Sequence, residues 1–354
     1  MEIENFYKNK KIFITGHTGF KGCWLSWWLN ELGAEVTGYA LPPEDIRGNL
    51  YNLSNLKENV TSIEGDIRNL DVLTNEVNKS KAEIIFHLAA QPLVLRSYEN
   101  PVENYDTNVM GTVNVLEVAR QSKNIKAAVI ITTDKCYENK EWDKPYKETD
   151  ELGGRDPYSS SKAMAELAVS SYARSFLFDK GIGVATARAG NVIGGGDFAP
   201  YRIFPDIIEA ITKDEPVVLR NPQAVRPWQH ILDVLYAYLI LGKNLYQEPK
   251  KFSTCFNISP DQSDVKTVLE ITNKLIARLE RGSYHINKEN NKLHEANYLS
   301  LDSTKAKELL GWKSQFYTEQ AIEITADWYK EFLNNQQQAR AITLQQIKEY
   351  SQKI

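Results

Sequence analysis

Ile12-Phe13-Ile14-Thr15-Gly16-His17-Thr18-Gly19-Phe20-Lys21-Gly22 is the stretch from which the fold can be read. With Lys10-Lys11 before it, the segment up to Thr15 reads as a short buried strand. Glycines spaced G-x-x-G-x-x-G follow at once, and Trp24 to Leu32 reads as an apolar helix. In the order strand, glycine turn, helix, backbone N–H groups and a helix N-terminus can approach a pyrophosphate, with glycine where a Cβ would collide. The same residues could make only a tight turn, but their place at the head of an alternating strand and helix pattern favours nucleotide binding.

Downstream the alternation continues. Strands are expected at Ala34 to Ala40, at a segment closing in Glu64-Gly65-Asp66-Ile67, at Glu83 to Leu88, at Ala127 to Thr132 and at Gly183 to Arg188. A long helical segment runs from about Pro101 to Ser122, carrying Asn108 and an apolar stripe with Val109, Val113 and Val118, and a second long helix begins at Tyr158. This predicts an α/β protein with a Rossmann-type, doubly wound parallel sheet. Past Gly194 the pattern turns irregular: a helix at Pro205 to Thr212, a short strand at Pro216 to Leu219, an extended Arg226 to Ile231, a helix at Asp233 to Leu245. The expected division is a nucleotide-binding domain over 1–190, to which some later segments return, a smaller mixed α/β lobe over 191–333, and a polar tail over 334–354, read as a peripheral or frayed helix.

Composition narrows the class. At 354 residues and 42% hydrophobic content the chain can bury a large core. The 42 basic and 46 acidic residues are interspersed, so no nucleic-acid or membrane-surface field is expected, and an anionic ligand must be met by local arginines. Cys23, Cys136 and Cys255 are far apart and odd in number, which argues for reduced thiols and no metal site. No run approaches a membrane span and the first residues lack a signal-like apolar core, so the cytoplasm is the default location.

Tyr158-Ser159-Ser160-Ser161-Lys162 puts a phenol and an ammonium on one helical face, one turn apart. A lysine beside a tyrosine favours the phenolate and so makes a general base for an alcohol proton. By itself Tyr-x-x-x-Lys is common in helices. Its force comes from Thr132-Thr133-Asp134-Lys135 at the end of the fifth strand, since ligands of an open parallel sheet bind outside the carboxyl ends of the strands.

These motifs resemble those of a family, the extended short-chain dehydrogenase/reductases, and within it the nucleotide-sugar 4,6-dehydratases, nearest their CDP-glucose branch. The likeness runs from Phe13 to Gly22 through His87-Leu88-Ala89-Ala90-Gln91-Pro92-Leu93-Val94, Thr133 to Asn139, Gly190 to Asp197, Arg220-Asn221-Pro222 and Arg226-Pro227-Trp228-Gln229-His230. The resemblance implies NAD as cofactor and a reaction at the sugar: oxidation at C4, loss of water across C5 and C6, return of the hydride to C6. It implies Thr133, Asp134, Lys135, Tyr158 and Lys162 as catalytic residues, with Asp134 as acid and Lys135 as base where many relatives carry an Asp-Glu pair. A 4-epimerase, a dehydratase of another nucleotide sugar, or a catalytically silent nucleotide-binding protein are the alternatives.

The expected cofactor contacts are Gly16, Thr18, Gly19, Phe20, Gly22, Asp66, Ile67, Leu88, Ala89, Ala90, Asn108, Tyr158 and Lys162. The acid that NAD-binding folds usually carry after the second strand is missing, with Glu44 and Asp45 coming later. Asp66 could meet the adenine or merely cap the next helix. For the substrate the expected residues are Asn191, Arg202, Arg220, Arg226 and His230, each arginine having a solvated surface charge as its alternative. A homodimer or dimer of dimers, through the two long helices, is expected.

Overall fold

The computed structural model describes residues 2–44, 48–261, 266–287 and 299–354. Its centre is a seven-stranded parallel sheet. Six strands follow the chain: β1 (Lys11–Thr15), β2 (Glu35–Ala40), β3 (Thr61–Glu64), β4 (Ile84–His87), β5 (Ala127–Ile131) and β6 (Gly183–Ala189). The seventh, Cys255–Ile258, pairs with β6, and the spatial order is seventh, β6, β5, β4, β1, β2, β3. The order reverses between β1 and β4, so a crevice opens there at the carboxyl ends.

Both faces of this sheet are covered, which is why its strands read as apolar runs rather than alternating ones. Ile12 and Ile14 point into one core cluster and Phe13 into the other; Ile84 and Phe86 oppose Ile85 in the same way. The larger cluster gathers Trp24, Trp27 and Trp28 of the helix Phe20–Glu31 with the helix Ile231–Gln247. On the other face the helix Gly111–Gln121 buries Val115, Leu116 and Val118. Val118 therefore belongs to the core. The exposed apolar side chains of the helical stretches 101–121 and 157–177 are Val102, Met110, Met164, Leu167 and Phe176.

Residues 191–333 do not form one block. The helix Ile231–Gln247 and the Cys255–Ile258 strand return to the main sheet, while the lobe beyond the strand ends includes, among the described residues, the helices Ile203–Lys213 and Val268–Leu279 and short two-stranded pairings. The polar tail is a correction. Ala339–Ser351 is a helix whose Ala339, Thr343, Ile347 and Tyr350 are buried. Their helical spacing makes a stripe that lies on the tryptophan-bearing helix, with the Tyr350 ring edge-on to Trp28 at 5.4 Å. The glutamines 336–338 form only the short turn before it. Among the described residues, no helix is long and apolar enough to cross a membrane.

Candidate active site

The glycine turn makes one end of the large cleft at the strand carboxyl ends. Gly16 sits at φ +79°, and a Cβ there would lie 2.7 Å from the Ala89 nitrogen. At Gly22 a Cβ would come within 2.1 Å of the Gly16 carbonyl oxygen, so any side chain would push helix and turn apart. The helix Phe20–Glu31 starts after Gly19 with no side-chain cap, which leaves its first N–H groups facing the cleft. Such a bare turn with an open helix terminus fits the pyrophosphate of a dinucleotide. Gly16, Thr18, Gly19, Phe20, Gly22, Asp66, Ile67, Leu88, Ala89 and Ala90 all line the cleft.

Asp66 does not cap the next helix, where Asn69 does. Its carboxylate is gripped by Arg68, through Nε at 2.9 Å and Nη2 at 2.6 Å, and this pairing holds it below the usual carboxylate range. Glu44 lines the cleft and pairs with Arg96 at 2.7 Å, while Asp45 lies outside the described residues. Asn108 is a correction. It is buried away from the cleft, where it accepts from the Gln91 nitrogen at 2.9 Å and donates to Ser161 at 2.9 Å. It ties the segment after β4 to the Tyr158 helix.

The chemical wall follows from how two elements end. β5 stops at Ile131, and Thr133 caps a single turn, Asp134–Cys136, by accepting from the Lys135 nitrogen at 3.3 Å. The helix Pro157–Tyr172 starts where Asp156 accepts from the Ser159 nitrogen at 2.9 Å, with Pro157 in its first turn. Tyr158 and Lys162 thereby face the same crevice as Thr133, Asp134 and Lys135, and all five line the cleft. Thr133 donates to the Asp134 carboxylate at 2.9 Å, and Lys162 donates to the Ile131 carbonyl at 3.2 Å.

Burial dominates the electrostatics of this wall. It pushes the Asp134 carboxyl up, against the pull of Lys135, the Thr133 hydroxyl, Arg226 and Lys21. It brings Lys162 down to about 8, and it raises the Tyr158 phenol to about 12, with Thr133 easing that rise and the Asp134 charge adding to it. The lowering of the phenol expected from Lys162 is thus reversed. Loss of hydration at a buried phenol outweighs an ammonium whose hydrogen bond goes to a main-chain carbonyl.

The opposite wall carries arginine. Asn191, Arg202, Arg220 and Arg226 all reach the cleft. Arg202 pairs with Asp197 at 2.8 Å, Arg220 lies 5.6 Å from the Tyr201 ring centre, and Arg226 donates to the Val225 carbonyl at 2.8 Å. Val225–Arg226 is held as a strand against Lys266–Thr267. His230 is a further correction. It is fully buried, caps the helix Ile231–Gln247 by accepting from the Leu232 nitrogen, and sits edge-on to Trp24 and Phe316. Burial drops it to about 3, so it is a neutral core residue.

Lys21 and Asp197 are among the cleft residues that escaped the sequence reading. Lys21 faces the cleft beside Asp134 and Arg202, and burial lowers it to about 8. Its signal was a lysine inside an otherwise glycine and apolar turn. Asp197, which anchors Arg202, ends the Gly194-Gly195-Gly196 run. Among the described residues, no group of three or more His, Cys, Asp and Glu side chains is arranged to hold a metal ion.

Residues 13–325 match the family model described as GDP-mannose 4,6 dehydratase. The chain is 45% identical to the CDP-glucose 4,6-dehydratase of Salmonella typhimurium, over 94% of each chain. Its fold is similar to a dTDP-glucose 4,6-dehydratase from Bacillus anthracis solved with NAD, at 22% identity and a TM-score of 0.76, covering 92% of this chain and 98% of that one. A UDP-glucose 4-epimerase from Thermotoga maritima, solved with UDP-glucose, has the same TM-score at 24% identity, covering 91% of this chain and 99% of that one.

Proposed function

This chain belongs to the GDP-mannose 4,6-dehydratase family, and from that premise we propose that it is an NAD-dependent hydro-lyase that converts CDP-glucose to CDP-4-keto-6-deoxyglucose. The observation that carries the reading is Asp134: a carboxyl buried beside Thr133 and Tyr158 and pushed toward its proton-bearing form. A 4-epimerase oxidises and reduces the same carbon and has no use for such an acid. The similarity to the Salmonella typhimurium enzyme, at 45% identity, supports the CDP sugar over others.

Gly16, Gly19 and Gly22 would hold NAD on their cradle, and NAD would supply hydride transfer between C4 and C6 of the sugar. Tyr158 accepts the proton of the 4-hydroxyl, with Thr133 beside it in the cleft and Lys162 one turn below it. The resulting 4-ketone acidifies the proton on C5. Lys135 takes that proton while Asp134 donates one to the 6-hydroxyl, which leaves as water. Lys135 then returns its proton to C5, so the ketone at C4 is retained. Arg202, Arg220 and Arg226 meet the diphosphate, since a guanidinium can donate two hydrogen bonds to phosphate oxygens.

The test is incubation of the purified protein with NAD+ and a panel of CDP-, dTDP-, GDP- and UDP-glucose. The expected result is a 4-keto product, detected by its absorbance in strong base, from CDP-glucose ahead of the others. Epimerised sugar without 4-keto product overturns the reading. The exposed Val102, Met110, Met164, Leu167 and Phe176 fit a second copy of the chain, so we expect a dimer by light scattering. The cysteines are free thiols, two of them buried, and suit the cytoplasm.

A further inference from the structure

Beneath the chemical wall lies a buried polar cluster with no part in the reaction as written above. Glu166 stands one helical turn beyond Lys162, and its side chain and that of Arg188 are 2% and 3% exposed. Glu166 accepts from the Thr132 hydroxyl at 2.5 Å, from the Thr186 hydroxyl at 2.7 Å and from Arg188 at 2.8 Å. Arg188 donates in turn to the Tyr137 hydroxyl at 2.7 Å, and Tyr137 to Asn257 at 2.7 Å. An ion pair this deep seldom adds net stability over apolar packing of the same volume. Its location suggests another reason. Thr132 immediately precedes Thr133 and Asp134, and Tyr137 immediately follows their turn, so the cluster grips that turn at both ends.

We propose that Glu166, held by Arg188, is a positioning residue: it fixes the turn carrying Thr133 and Asp134, and its carboxylate maintains the charge of Lys162 under Tyr158. The inference rests on the role of Tyr158 and Lys162 in the oxidation proposed above. Several groups from neighbouring elements face Lys162. Lys21 comes from the glycine-turn helix, His87 from the end of β4 and Cys136 from the turn after β5; Tyr158 and Glu166 share its own helix. His87 is buried and held neutral, at about 3, and Lys21 repels. Burial drives Lys162 down, and the Glu166 carboxylate is the leading counterweight. Without it, Lys162 loses its proton at a lower pH.

The experiment compares wild type, Glu166→Gln, Glu166→Asp and Thr132→Val by kcat and KM across pH, with thermal melting of each. Glutamine keeps the shape and can still accept from the threonines. The expected result for Glu166→Gln is an alkaline limb of kcat displaced to lower pH and a kcat about ten-fold lower at neutral pH, with KM for the nucleotide sugar within about two-fold. Glu166→Asp restores the limb. Thr132→Val keeps the charge and loosens the turn, so kcat falls while the limb stays; it carries the test if Glu166→Gln does not fold. An active wild type whose limb is unmoved in Glu166→Gln, or whose kcat is unmoved in Thr132→Val, overturns the inference alone. A wild type that makes no 4-keto sugar overturns the proposed reaction first, and the inference with it.

Discussion

The two walls of the cleft are built by different rules. On the sheet side, Thr133, Asp134, Tyr158 and Lys162 are buried and sit at the end of a strand or in the first turns of a capped helix, with Thr133 bonded to Asp134 and Lys162 to main chain. On the lobe side, Arg202, Arg220 and Arg226 are half-buried and stand at helix and strand ends in an irregular region. Rigid placement suits proton transfer, where a small misplacement costs rate. Half-solvated arginines suit a diphosphate, whose charge needs company more than a fixed angle.

Changes on the sheet side are therefore expected to act on kcat and changes on the lobe side on KM. Tyr158→Phe has the largest expected effect. It removes the acceptor of the 4-hydroxyl proton, and NADH formation in single turnover should fall by ~10²- to 10⁴-fold. Unchanged NADH formation would move the base elsewhere. Asp134→Asn should spare that oxidation and slow loss of water by ~10²-fold, the low end of general-acid effects, so that NADH or a 4-keto-hexose builds up transiently. Equal damage to both half-reactions would contradict the separate roles.

The pH dependence sharpens the same wall. Burial lowers Lys162 to about 8, so its charge is present below that value and lost as pH rises through it. Catalysis that needs the ammonium should therefore decline above about pH 8 in wild type; a flat profile to pH 10 would remove Lys162 from the mechanism. On the lobe side, Arg226→Ala should raise KM for the nucleotide sugar roughly ten-fold, as for loss of one charge-assisted hydrogen bond, with NAD affinity and kcat nearly unchanged. A fall in kcat of the same size would blur the division between the walls. The smallest effect tests the scaffold beneath both. Tyr350→Phe removes a 2.7 Å hydrogen bond to the buried Asp233; it should cost about 1–3 kcal/mol in urea unfolding and leave kcat and KM alone.

Much of this was legible in the linear chain, because it depends on neighbours a few residues apart. Strand, glycine turn and helix are local patterns, and so is the one-turn spacing of Tyr158 and Lys162; their order along the chain implied the doubly wound sheet. The corrected positions depend on contacts distant in sequence. His230 ends a stretch, Arg226 to His230, that reads as a binding motif, yet Trp24 and Phe316 enclose it. Asn108 looks available on a helix, yet Gln91 and Ser161 take up its amide. The C-terminal segment reads as polar, yet its sparse stripe of Ile347 and Tyr350 meets a helix more than 300 residues earlier in the chain. Local spacing determines which element a residue joins and which neighbours share its face. Only tertiary packing decides whether that face meets solvent, ligand or core, and burial then moved Tyr158 up and Lys162 down by amounts that no spacing could foretell.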